Sequence, residues 1–178
     1  AMTQSVFSAG FVWRVVENKW PGFEAAFSKF EVPRVAHLSP DDIDTLATDT
    51  RIIRNRPKII ATRDNARFVL DVAGEHGSFG AFLANWPDDD TVGLWAELRA
   101  RGSRLGGFTG AYVLRRLGRD TFMLTTDVVK ALIGAGVVGK APTSKRELAA
   151  VQEAFNRWRA ESGRTHAELS RILACSID

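Results

Sequence analysis

Cysteine is nearly absent: one residue, Cys175, in a chain of 178. A lone thiol excludes an internal disulfide and suits a reducing compartment. Histidine is scarce as well. His37, His76, His166 and Cys175 are scattered along the chain and cannot build a convincing four-ligand zinc site, so neither metal nor any other cofactor is expected. No apolar run approaches the ~20 residues of a membrane span. No basic segment followed by an apolar one marks a signal peptide, and a cytoplasmic protein is the default expectation. Sustained apolar–polar alternation is missing, as are Asn-Gly and Asp-Gly hairpin turns, which leaves a sheet without support. The GxxxxGK[ST] phosphate loop is missing too, and with it the common nucleoside-triphosphate site.

What is present is helical. Phe23, Phe27 and Phe30 recur at helical spacing, and "SPDDIDTLA" offers Ser39 as an N-cap followed by Pro40 and acidic residues. Pro57 opens a longer helix with Ile59, Ala66, Leu70 and Ala73 on one face, expected to end at Gly74. Ser78 and Thr91 start further stretches, and Ser144 with Glu147 and Thr165 with Glu168 form capping boxes. "AGVVGKAP" reads as a short extended connector. The expectation is an all-α protein of about eight or nine short helices, one domain over residues 1–178 acting as a monomer.

The net charge of +3 hides a segregated distribution. Arg51, Arg54, Arg56, Lys58, Arg63 and Arg67 stand against a single acid, Asp64. From Arg99 to Arg119 six arginines stand against none. Such clustering can place a positive potential on one face, although any one of these arginines can equally be a solvated helix residue. Inside the second cluster lies "RGSRLGGFTGAYVLRRLG", with Gly106, Gly107 and Gly110 where a helix begins. A helix, a tight turn and a second helix expose unpaired backbone N–H groups that bind anions. Arg104 and the Thr109 hydroxyl can add a charge and a donor for a phosphate.

Near the start, "VFSAGFVW" sets a flexible Gly10 beside Phe11 and Trp13. The bland reading is a buried helix junction. The sharper one is an apolar wedge and an aromatic wall for a flipped base.

The run "AGFVWRVVENKWPGFEAAFSKFEVPRVAHLSPDDIDTLATDTRIIRNRPKIIATRDNA" resembles the bacterial 3-methyladenine DNA glycosylase I family, within the helix–hairpin–helix glycosylase superfamily. The Ala-Gly-apolar-x-Trp opening, "GFEAAFSKF", "IIRNRPKI" and the following "NA" come in that order and spacing. The glycine hairpin falls where the superfamily clamps a DNA phosphate, and after Gly118 the likeness fades. The resemblance implies a helix–hairpin–helix glycosylase fold and base-excision repair of double-stranded DNA carrying alkylated bases. It places Trp13 against the flipped base, and Gly10 with Phe11 as the wedge that fills the vacated gap. A cationic methylated base also suits an electron-rich indole face.

Three departures accompany it. The family's pocket glutamate falls on Ser5, the zinc ligands are missing, and the superfamily's catalytic aspartate falls on Thr125, with Asp127 two residues late. Asp127 and Glu17, one turn beyond Trp13, are the candidate carboxylates near the sugar. Each also has a structural role open to it, Asp127 as a helix cap and Glu17 as an ion-pair partner. The chain begins so near the wedge that the pattern leaves room for upstream helices with further pocket residues. Two activities stay open: an active glycosylase, or a catalytically weak DNA-binding relative using the same clamp and wedge. A helical interaction module without nucleic acid leaves the acid-free arginine run unexplained.

Overall fold

The structure, a computed structural model, describes residues 1–177. Its helices are α1 (Met2–Ser8), α2 (Trp13–Asn18), α3 (Trp20–Ala26), α4 (Val32–Ala36), α5 (Pro40–Thr48) and α6 (Arg56–His76). They continue with α7 (Phe79–Asn85), α8 (Thr91–Arg101), α9 (Phe108–Arg116), α10 (Thr126–Gly134), α11 (Lys145–Ser162) and α12 (His166–Cys175). Among the described residues there is no strand, so the fold is all-α, and the "AGVVGKAP" connector is irregular. No helix of the described residues is long and apolar enough to cross a membrane.

Local chemistry starts most of these helices. Ser39, Asn55, Ser78, Asp90, Thr125, Ser144 and Thr165 each accept a hydrogen bond from a backbone N–H in the first turn that follows. Each satisfies one of the donors that a helix start leaves unpaired. Both expected capping boxes form, and Ser39 makes a third with Asp42.

There are more helices than the eight or nine expected, because α1 and α2 flank Gly10 at the start and one aromatic run is broken. α3 stops at Ala26, and Ser28, Lys29 and Phe30 follow with φ of 51, 54 and 58°, a left-handed turn before α4. Non-glycine residues adopt this conformation only when their surroundings insist. Here the turn lays Phe30 on Trp20 and Phe27, with ring centroids 5.2 and 5.7 Å apart. α6 also runs past Gly74 to His76 and ends at Gly77, whose φ of 81° supplies the reversal.

Three apolar clusters form the interior. α6 lies between the first two, sending Ile59 and Ala66 into one and Ala61, Phe68 and Val72 into the other. α1 is divided in the same way, with Phe7 in the first and Val6 in the second. The third joins α10, α11 and α12 around Phe122 and Phe155, stacked at 4.2 Å. Trp95 of α8 packs against both the second and third clusters, and its indole N–H donates to Thr121 Oγ1 at 3.1 Å. Fully burying a side chain of this size contributes about 1.5–3 kcal/mol.

The Glu147 box generates a pH prediction. Its carboxylate accepts from the backbone N–H groups of Ser144 and Thr143, both at 2.9 Å, and its pKa is held down to about 2. The folded value lies below the ordinary 4.5, so the contribution is complete above about pH 4.5 and is lost as pH falls toward about 2. Melting temperatures of wild type and Glu147→Gln should therefore differ most near neutral pH and converge in acid. A constant difference down to pH 2.5 would contradict this account.

Candidate functional site

After α1 the chain reverses at Gly10, whose φ is 74°. A Cβ there would meet no atom within 4 Å, so the glycine is required by conformation and not by space. The reversal is held from below by Lys58 in the first turns of α6. This buried ammonium donates to Phe7 O at 3.0 Å and Ala9 O at 2.6 Å, and lies 4.8 Å from the Phe11 ring centroid. Burial pushes the Lys58 pKa below the usual lysine value, and the charge of Arg104 pushes it the same way. With its backbone tied down, the loop presents Phe11 and Trp13 42 and 43% exposed, outside all three cores.

The second part is the hairpin formed by α8, the turn at residues 102–107, and α9. Asn65, two helical turns beyond Lys58, grips this turn with both ends of its amide. Its Nδ2 donates to Ser103 O at 3.0 Å and its Oδ1 accepts from Ser103 N at 2.8 Å. Gly107 has φ 58° and ψ −137°, a region that side chains avoid. A Cβ on Gly110 would fall 2.5 Å from Leu105 O, so this glycine lets α9 press against the turn. α9 is, among the described residues, the one helix from α5 onward whose N-cap gives no side-chain hydrogen bond. Its first-turn N–H groups are therefore without a side-chain acceptor from the N-cap. Arg104, at φ 59°, is exposed in the same turn.

α9 packs on α1, and between them opens a pocket of about 390 Å³. Its lining brings Gly10, Phe11, Trp13 and Thr109 together with Ser5. It also contains Phe108, Tyr112 and Arg116, which the sequence reading passed over. Tyr112 meets Trp13 edge-on at 5.0 Å, and the Arg116 guanidinium lies 5.5 Å from the Trp13 ring centroid. The spacing of these three is i, i+4, i+8, a stripe that helical periodicity could have revealed on the face opposite Gly110, Ala111 and Leu114. Ser5 lies in the wall, 4% exposed, and its hydroxyl has no hydrogen-bond partner.

The two basic clusters behave differently. In the first, Arg51 pairs with Asp49, Arg56 with Asp44 and Arg63 with Asp64, while Lys58 is buried. In the second, Arg101 pairs with Glu75 and Arg119 with Asp88, and Arg115 donates to Thr121 O and Ala167 O. Arg99, Arg104 and Arg116 have no carboxylate partner among the described residues. Arg54 of the first cluster is likewise without one, so, among the described residues, three of the four unpaired arginines in the two clusters lie on the hairpin. Glu17 is exposed on α2, beyond the pocket lining. Asp127 is exposed in the first turn of α10, 3.5 Å from Lys130, and Thr125 is the residue that caps that helix. Among the described residues no three His, Cys, Asp or Glu side chains gather as metal ligands.

Comparison with known proteins bears on this geometry. A sequence model of the methyladenine glycosylase family matches residues 1–102. DNA-3-methyladenine glycosylase 1 of Escherichia coli strain K12 is 38% identical over 75 residues, which are 42% of this chain and 40% of that protein. The match thus spans about 40% of the length of that curated relative. Among solved structures, a point variant of 3-methyladenine DNA glycosylase I in complex with 3-methyladenine aligns with a TM-score of 0.58 at 26% identity, over 64% of this chain and 71% of the other. A 3-methyladenine DNA glycosylase I from Staphylococcus aureus aligns with a TM-score of 0.56 at 26% identity, over 64% and 70%.

Three substitutions test how the loop is built. Phe11→Ala should cost about 1 kcal/mol or less, because the ring is largely outside the core. Phe7→Ala, its fully buried neighbour in sequence, should cost ~3–5 kcal/mol. Lys58→Met leaves two carbonyls without their donor and should cost ~1–3 kcal/mol for each one that stays dry. Chemical denaturation of the three variants measures this directly. A Phe11 variant as damaged as the Phe7 variant would place Phe11 in the core.

Proposed function

The chain belongs to the methyladenine glycosylase family, and from that premise we propose that it excises alkylated bases, with 3-methyladenine as the reference substrate, from double-stranded DNA. The observation that carries this reading is one pocket walled by exposed Trp13, rimmed by exposed Phe11 and adjoining an uncapped helix start. Its volume falls within the ~300–1,000 Å³ range of small-ligand sites.

In the proposed reaction the hairpin holds the backbone. N–H groups at Gly106, Gly107 and Gly110, the Thr109 hydroxyl and the Arg104 charge contact a phosphate. Phe11, supported by Gly10, enters the stack as the damaged nucleotide leaves it, offsetting part of the few kcal/mol that unstacking costs. The extruded base lies against Trp13. The C1′–N9 bond then breaks with its electron pair going to the base, and water adds at C1′. A methylated, cationic adenine departs readily and needs little acid assistance. A carboxylate near the sugar stabilises the positive charge developing there. Glu17, carried on the same helix as Trp13, fits that role better than Asp127, which sits on α10 and pairs with Lys130.

Incubation with methylated duplex DNA followed by chromatography of released bases tests the activity. Trp13→Ala and Glu17→Gln should lower release more than ~10-fold while leaving affinity for DNA nearly intact. Arg104→Ala should weaken binding to any sequence and reduce the salt-dependence slope by about one unit. Gly107→Val should weaken binding through the turn conformation. DNA binding with no base release would leave a binding protein only, and an unchanged slope in the Arg104 variant would move the clamp elsewhere.

A further inference from the structure

Phe108, Tyr112 and Arg116 of α9 line the pocket at successive helical turns. Tyr112 meets the Trp13 ring edge-on at 5.0 Å, and the Arg116 guanidinium lies 5.5 Å from its centroid. Both therefore belong to the wall against which the proposed reaction lays the extruded base. Phe108 stands apart from it, one turn nearer the hairpin. At 53% it is more exposed than either Phe11 or Trp13, and the proposed reaction gives it no part.

The local backbone sets this exposure. Gly107, with φ 58° and ψ −137°, turns the chain directly into α9, so that residue 108 opens the helix at the pocket edge. Val113 and Leu114 hold the other side of α9 in the second apolar cluster, together with Leu105 of the turn. A large apolar ring is thereby left over solvent beside the turn, at an opening it shares with Phe11 and Trp13. Apolar surface gathered in this way, and not scattered singly, marks a place of contact.

Position along the helix decides what that contact is. Four residues of helix place Phe108 about 6 Å along the axis from Tyr112, and the turn at Gly106 and Gly107 lies immediately on its other side. The order along α9 is thus hairpin turn, Phe108, base wall. Stacked nucleotides of one DNA strand repeat every ~3.4 Å, and a strand pulled open at one nucleotide spaces its neighbours further apart. We propose that Phe108 stacks on the base next to the extruded nucleotide, on the same strand, and so helps hold open the step that Phe11 enters. The proposal rests on the pocket being the base site of the proposed glycosylase and adds a second stacking contact to it. Such a contact replaces stacking that the neighbour loses when the damaged nucleotide leaves. It is also tolerant of sequence, because every base has a π-face.

A double-mutant cycle between protein and DNA tests this without catalysis. One duplex carries a tetrahydrofuran abasic analogue at the lesion position. In two others a flanking base of the same strand, on one side or the other, is removed as well. Fluorescence anisotropy at fixed salt gives the affinities. Phe108→Ala should bind the first duplex about 5- to 150-fold more weakly than wild type. Removing one of the two flanking bases should weaken wild type by a similar factor and Phe108→Ala by less than ~3-fold. Phe108→Trp should keep wild-type affinity and its coupling to that flank, and both variants should melt with wild type, the position being exposed. Losses that simply add at both flanks, or unchanged affinity in Phe108→Ala, overturn the inference. So does a Phe108→Ala variant that binds every duplex as wild type does but loses affinity for free 3-methyladenine, which would place the ring in the base wall. Additive losses together with release of methylated adenine by wild type overturn the inference alone. Coupling to one flank with no base released from methylated duplex supports it and overturns the glycosylase reading instead.

Discussion

One buried ammonium and one buried amide on α6 set the geometry on which the site depends. Lys58 closes the carbonyls at the end of α1, and seven residues later Asn65 closes the turn between α8 and α9 from both sides. Seven residues of helix span about 10 Å, so one rigid element fixes the separation between the loop bearing Phe11 and Trp13 and the hairpin bearing Arg104 and Gly107. The loop at Gly10 has little apolar burial of its own, whereas the hairpin turn adds the buried Leu105 to the grip of Asn65. Thr62, between the two, returns its hydroxyl to Lys58 O at 3.1 Å and continues the same polar seam. Embedding such a seam between two apolar clusters is tolerable only because its groups are paired.

The electrostatics follow from how the remaining charges pair. Arg51, Arg56 and Arg63 hold Asp49, Asp44 and Asp64, and Arg101 and Arg119, at the ends of the hairpin helices, hold Glu75 and Asp88, each such exposed pair adding little. Arg99, Arg104 and Arg116 are left with uncompensated charge beside an uncapped helix start. A small net charge thereby coexists with a local positive field suited to a polyanion.

The helical plan was legible from residues that act on their immediate neighbours. Ser39, Ser78, Ser144 and Thr165 cap the helices they precede because an N-cap needs only the next three residues to work. The hairpin was legible for the same reason, since Gly107 and Gly110 answer to φ and to a backbone contact five residues away. The aromatic run through Phe30 misled, because its left-handed turn is stabilised by stacking on Trp20, ten residues earlier. No window of local periodicity contains that interaction.

The sequence by itself determined the all-α class, the family and the glycine hairpin, since each is written in short-range pattern, while the exposure of Phe11 and Trp13 was left open between core and wedge. Only the tertiary structure decided which cations are free, because a salt bridge such as Arg101 with Glu75 joins residues 26 apart in sequence. It alone brought Tyr112 and Arg116 to the Trp13 ring and left the Ser5 hydroxyl unpaired in the wall between them. The physical reason is common to all of these. Helix signals arise from contacts one turn apart, whereas the charge and hydrogen-bonding character of a pocket arise from side chains that only the packing of α1, α2, α6 and α9 brings within a few ångströms.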